Sequence, residues 1–151
     1  MALIYVAPGQ EDEISIFLNQ DSSSEYQEFV SSLGWEIDVA THPGYLGGLN
    51  KNLADGVKAI YYCSSTIEII YHDATRMVND EDDPKQVKKK RHIGNDQVHV
   101  IWNEHAREYR RETIKGDFGN ALIVVTPQAS GLFLIELYRD QRVRLFIQPL
   151  T

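Results

Sequence analysis

The densest group of side chains able to do chemistry is Lys88-Lys89-Lys90-Arg91-His92-Ile93-Gly94-Asn95-Asp96, which runs directly into an apolar segment starting at Gln97. Cations, an imidazole, a carboxamide and a carboxylate in so short a stretch can bind an anion, move a proton or orient a water. The plainer reading is local. Gly94-Asn95-Asp96 is good turn chemistry, and His92 suits the end of a helix. Conventional enzyme templates fit poorly. His92, His99 and His105 are separated by seven and six residues, unlike a helical metal pair four apart. Cys63 lies beside Tyr61 and Tyr62 with no local base, which predicts a buried structural thiol. Glu104, His105 and Asp96 contain the parts of an acid–base set, but nothing in their spacing compels one.

The elements that must position these groups follow from periodicity. Leu3–Ala7 reads as a short buried strand closed by Pro8-Gly9. Ser24 and Gln27 suit a capping box, and Tyr26, Phe29, Val30 and Leu33 form one apolar helical stripe. Gly34 is expected to stop that helix in the left-handed conformation. Trp35 to Val39 alternates as a half-buried strand does. The stretch from Thr41 to Asn52 is rich in turn formers and reads as a long loop, with neither a Walker A nor a G-x-G-x-x-G pattern to cradle a nucleotide. Further strands are expected at Thr66–His72, Gln97–Trp102 and Ala121–Val125, the last pairing as a hairpin with Gly131–Tyr138. The expected class is mixed α/β (α+β), a central mixed sheet flanked by helices, with an N-terminal α/β layer and a joint near Asp80–Pro84.

Composition bounds the function. The 151 residues are 42% hydrophobic and 25% charged, as in a globular domain, and the single cysteine excludes a disulfide framework. The net charge of −7 argues against nucleic acid as a partner of the whole surface. No apolar run approaches the ~20 residues needed to cross a bilayer, and the first residues lack a basic signal-peptide start, so a cytoplasmic protein is expected. Charge is segregated: residues 1–84 carry a net −12 and residues 85–151 a net +5. The basic run from Lys85 to Arg91 is therefore either a solvated loop or an electropositive rim that steers an acidic partner.

The string KKKRHIGNDQVHVIWNEHAREYRRETI, followed by FGNALIVVTP, resembles the Rap-GAP domain family, whose members stimulate GTP hydrolysis on small GTPases such as Rap, Ral and Rheb. YVAPGQEDE, FVSSLGWE and GGLNKN read like the catalytic alpha-type subunits of the Ral GTPase-activating complex. The resemblance spans roughly Ile4 to Tyr138. It implies one Rap-GAP-like domain over 1–151, with an N-terminal α/β subregion (1–60) and a catalytic subregion (61–151). The family domain continues past the segment matching Gly131–Tyr138, so the resemblance also implies C-terminal truncation near Arg144–Thr151 and a partly exposed sheet face.

By the same resemblance, Asn95 is the catalytic asparagine "thumb" inserted into the GTPase, and His92 supports it or touches the partner. Arg91, Lys88, Lys89 and Lys90 are expected to meet the GTPase, with Asp96 holding the turn. No arginine finger is implied; Arg107, Arg110 and Arg111 read as a solvated helical cluster or part of the partner surface. The expected partner is a small GTPase, Ral before Rap or Rheb, with a beta-type subunit completing a heterodimer. No cofactor of its own is expected, GTP and Mg²⁺ being held by the GTPase, and the chain is an activator without turnover. Two alternatives remain: a non-catalytic interaction or dimerisation module, and a stand-alone hydrolase using His92, Asp96 or Glu104.

Overall fold

The computed structural model describes residues 1–114 and 120–139. The tail from Arg144 to Thr151, expected to end a truncated domain, lies outside them. Among the described residues seven strands form one mixed sheet: β1 (Ala2–Val6), β2 (Trp35–Asp38), β3 (Lys58–Cys63), β4 (Glu68–Asp73), β5 (Val98–Asn103), β6 (Ala121–Pro127) and β7 (Phe133–Arg139), in the spatial order β2-β3-β4-β1-β5-β6-β7. β1 is central, parallel to β4 on one side and to β5 on the other, and β6 continues the parallel set. The outer pairs β2–β3, β3–β4 and β6–β7 are antiparallel.

Alternation along β1 divides the core. Leu3 and Tyr5 point to one face, where α2 (Ser24–Leu33) lays Tyr26 and Val30 against Tyr71, Val100 and Trp102. Burying two such side chains contributes about 1.5–3 kcal/mol each. Ala2, Ile4 and Val6 point to the other face, under α1 (Glu13–Phe17) and α3 (Val87–Asn95). The cap of α2 falls one residue before the expected box: the Ser23 hydroxyl accepts from the Tyr26 N–H at 3.1 Å. Gly34 ends the helix, but at φ 173° it is extended, not left-handed. Glycine is required there because a Cβ would stand 2.3 Å from the Tyr61 carbonyl oxygen of β3.

α1, β3 and α3 lacked a clear sequence signal. β3 carries the string KAIYYC, without a sustained apolar–polar alternation, and its register comes from neighbours on both sides. α3 occupies the lysine-rich stretch that its charge presents as a solvated loop or an electropositive rim. Asp80–Pro84, expected as a joint, is instead closed by Gln86, whose side chain bonds the Asp80 N–H (3.2 Å) and the carbonyls of Asp80 (3.0 Å) and Asp83 (2.8 Å). Gln86 adopts φ 51°, a left-handed conformation uncommon outside glycine, which these bonds offset. The Asp83 carboxylate then accepts the Lys88 N–H at 3.2 Å, satisfying an early orphan donor of α3.

Glu104 follows β5 and is a structural clamp. It accepts from Tyr5 Oη at 2.9 Å, from Trp102 Nε1 at 2.8 Å and from the Ser23 hydroxyl, tying β1, β5 and the α2 cap together. Asp96 precedes β5, so the two carboxylates are separated by the length of that strand, roughly 25 Å at ~3.3 Å per residue. The hydrolase set of Asp96 or His92 with Glu104 is therefore not assembled. Glu104→Ala should lower stability by about 3 kcal/mol, read by thermal or denaturant unfolding, because three donors lose their acceptor. An unchanged midpoint would show that the clamp contributes nothing. Cys63 is exposed rather than buried, at the end of β3.

Candidate functional site

α3 presents few apolar side chains to the sheet. Ile93 is fully buried in the core, while Lys89, one turn earlier, is 2% exposed. Its ammonium donates to the carbonyls of Phe17 (2.7 Å) and Ala74 (2.9 Å) and to Asn79 Oδ1 (2.6 Å). Burial pushes its pKa down to about 8, with Asp73 pulling the other way. Lys89 thus fastens α3 to the ends of α1 and β4 and is withdrawn from any docking surface, contrary to its expected role. Its neighbours in the basic run are largely matched by acids. Lys88 pairs with Asp80 at 2.5 Å on the outer side, and Lys90 with Glu13 at 2.6 Å. Arg91 is exposed and has no ion pair among the described residues. The positive rim inferred from the run is therefore much weaker than its composition implies, since the acidic half of the chain folds back onto it.

The last turn of α3 brings His92, Asn95 and Asp96 together at the amino-terminal edge of β1 and β5. Asn95 is exposed, and its side chain makes no hydrogen bond among the described residues. The residues around it are held. His92 Nε2 lies 2.9 Å from Asp55 Oδ1, in the loop between β2 and β3. His72 Nδ1, on β4, lies 2.7 Å from Asp96 Oδ2, and the Met1 amino group donates to Asp96 Oδ1 at 3.0 Å. Asp96 was expected to hold the turn through backbone N–H groups; its carboxylate instead ties the end of α3 to β4 and β1. The two imidazoles face each other with centroids 5.5 Å apart.

Electrostatics match this geometry. Burial acts to raise the Asp96 carboxyl, but its hydrogen bond to His72, with the charges of that ring and the Met1 amino group, outweighs burial and leaves it below the ordinary carboxylate range. Burial likewise opposes Asp55, and the Asn50 N–H and His92 more than compensate. Each carboxylate is held in its ionised form. Among the described residues no group of three or more such side chains is disposed to hold a metal ion.

Ligands of open α/β sheets sit beyond the carboxyl ends of the strands, whereas Asn95 lies at the opposite edge. The site therefore suits a side chain offered outward more than a crevice closing on a small molecule. Arg107, Arg110 and Arg111 are not on an α-helix: Arg107 pairs with Glu11 at 2.8 Å, and Arg111 begins a 3₁₀ turn to Thr113. His72 and Asp55 were not legible as site residues; they lie 24 and 37 positions from their partners Asp96 and His92. No helix among the described residues is long and apolar enough to cross a membrane.

Comparison with known proteins adds the context. The chain is 45% identical over 146 residues to Ral GTPase-activating protein subunit alpha-2 of Mus musculus, covering 97% of this chain and 8% of that protein. It is 49% identical, again over 146 residues and 97% of the chain, to the probable Rho GTPase-activating protein CG5521 of Drosophila melanogaster, of which it covers 7%. It is 35% identical over 133 residues to the tuberous sclerosis 2 protein homolog of Schizosaccharomyces pombe, covering 86% of this chain and 10% of that one. The chain thus spans a tenth or less of the length of these relatives. Its fold matches a solved structure of the TSC2 GAP domain with a TM-score of 0.90 and 27% identity, covering 97% of this chain and 83% of that one. The Rap/ran-GAP family model matches residues 16–151, nine-tenths of the chain, and the chain belongs to that family.

Proposed function

We propose that this chain stimulates GTP hydrolysis on a small GTPase of the Ral, Rap or Rheb type by inserting Asn95 into the partner's nucleotide site. The observation that carries this reading is the exposed Asn95 carboxamide on a turn whose flanking residues, His92 and Asp96, are both anchored. A neutral amide offers one acceptor and two donors. It can hold a water in line with the γ-phosphate without adding charge near an already anionic centre, as a GTPase's own glutamine does. Phosphoryl transfer needs little covalent help, so positioning supplies most of the effect. GTP and Mg²⁺ stay on the GTPase, and this chain turns nothing over by itself.

Arg91, with Lys88 and Lys90 exchanging Asp80 and Glu13 for the partner, meets the acidic surface near the nucleotide; Lys89 takes no part. The 45% identity to Ral GTPase-activating protein subunit alpha-2 supports Ral as the partner; the proposal sets the reaction in the cytoplasm, with a beta-type subunit beside this chain. The test is single-turnover hydrolysis by GTP-loaded Ral, Rap and Rheb, with and without that subunit. Acceleration of at least one, up to about 10⁵-fold, is expected. No acceleration by the folded protein at saturating concentration would overturn the proposal. Apolar surface on β7, where Ile135 is 65% exposed, favours a second reading as a non-catalytic interaction or dimerisation module. That reading predicts binding without any rate increase.

A further inference from the structure

We propose that His72 and Asp55 are positioning residues for the Asn95 thumb, a double clamp that fixes the end of α3 before any GTPase arrives. The inference rests on the thumb reading above. One clamp is His92–Asp55, three residues before Asn95; the other is Asp96–His72, immediately after it. Both anchors are themselves fixed. His72 lies in the sheet, is 3% exposed, and its backbone N–H donates to the Met1 carbonyl at 2.9 Å. Asp55 accepts from the Asn50 backbone N–H at 2.8 Å and its side-chain amide at 2.9 Å, and its own carbonyl receives the Val78 N–H at 3.0 Å.

The loop is built to close on this pair. A Cβ on Gly47 would come within 2.5 Å of Ile70 Cγ2 and 3.1 Å of His72 Nε2, and Gly48 borders the His92 ring. His72 Nε2 is buried and unpartnered, so the ring meets Asp96 through Nδ1, whose N–H donates to Oδ2. Side chains on both sides of Asn95 are thereby tied to separate parts of the fold, one to β4 and one to the β2–β3 loop. The backbone that carries the amide is held while the amide itself remains free. Misplacing a reacting group by about 1 Å can cost about 100-fold in rate. Loosening either clamp should therefore appear in the chemical step and not in encounter with the GTPase.

The test compares His72→Phe, which keeps the ring and loses the bond, with His72→Asn, whose amide N–H can take the place of Nδ1–H toward Asp96. Single-turnover hydrolysis is followed against activator concentration, with thermal melts confirming folded protein. His72→Phe is expected to lower the saturating rate about 10–100-fold with the half-saturating concentration unchanged within twofold, and His72→Asn to recover most of the rate. Asp55→Ala, on the other clamp, should split the two parameters in the same way and serves if the His72 variants do not fold. Hydrogen exchange of the Asp96 amide, bonded to the Ile93 carbonyl, should quicken at least about tenfold in His72→Phe as the turn frays. Parent-like rates in His72→Phe, or His72→Asn no better than His72→Phe, overturn the clamp. If the parent fails to accelerate any GTPase, the thumb reading falls, and the exchange measurement still decides whether the clamp holds the turn.

Discussion

Asn95→Ala is expected to remove about 10³-fold or more of the stimulated GTP hydrolysis while leaving the melting temperature unchanged. The size follows from the chemistry: groups supplied in trans to the γ-phosphate are worth about 10³–10⁵-fold, and this one carries the only function assigned to its turn. The selectivity follows from placement, since an exposed side chain without an internal partner costs within about 0.5 kcal/mol when truncated. Two further substitutions separate the amide's chemistry from its bulk. Asn95→Asp keeps the shape but sets a negative charge against the phosphate, and Asn95→Gln moves the same amide outward by one methylene. Both should be as inactive as alanine within about tenfold. Stimulation at the parent rate by Asn95→Ala would falsify the thumb.

The largest expected stability change is at Lys89. Lys89→Met retains the stem and deletes the ammonium, leaving the Phe17 and Ala74 carbonyls and Asn79 Oδ1 without their donor. A loss of about 2–4 kcal/mol is expected in denaturant unfolding. The pH dependence has a definite sign. The folded ammonium dissociates at about 8, the unfolded one near 10.5. Between those values the unfolded chain binds more protons, so this group's contribution to stability is greatest above 10.5 and is lost as pH falls toward 8. The gap between parent and Lys89→Met should therefore widen from pH 8 to pH 10. A constant or narrowing gap would mean that Lys89 is not the buried, shifted group described here.

Where a pattern is carried by many residues in one stretch, sequence alone located the element. The stripe Tyr26, Phe29, Val30, Leu33 is α2, and the runs expected at 97–102, 121–125 and 131–138 are β5, β6 and β7, with ends displaced by at most two residues. Where an element depends on partners far along the chain, it was not legible. α3 buries only Ile93 and the stem and head of a lysine, so its helical face is hidden in a string that reads as charge. Lys89 looks like its neighbours and is their opposite, because the three acceptors that hold it come from α1, the end of β4 and Asn79. The glycine at 34 was read correctly as a stop but for the wrong reason, close approach to β3 taking the place of a left-handed turn. Asn95 and His92 were marked by family resemblance and not by spacing; His72 and Asp55 had no mark at all.

The place of β1 at the middle of the sheet has a consequence for synthesis. Ala2 pairs with His72 on one side and with His99 on the other, so neither edge of the central strand can be closed until some seventy and then some hundred further residues have followed it. Contacts of such sequence separation form slowly. During synthesis Leu3, Ile4 and Tyr5 emerge well before the two strands that flank them in this sheet, and an apolar stretch waiting for its partners is the kind that draws chaperones and that aggregates when they are scarce.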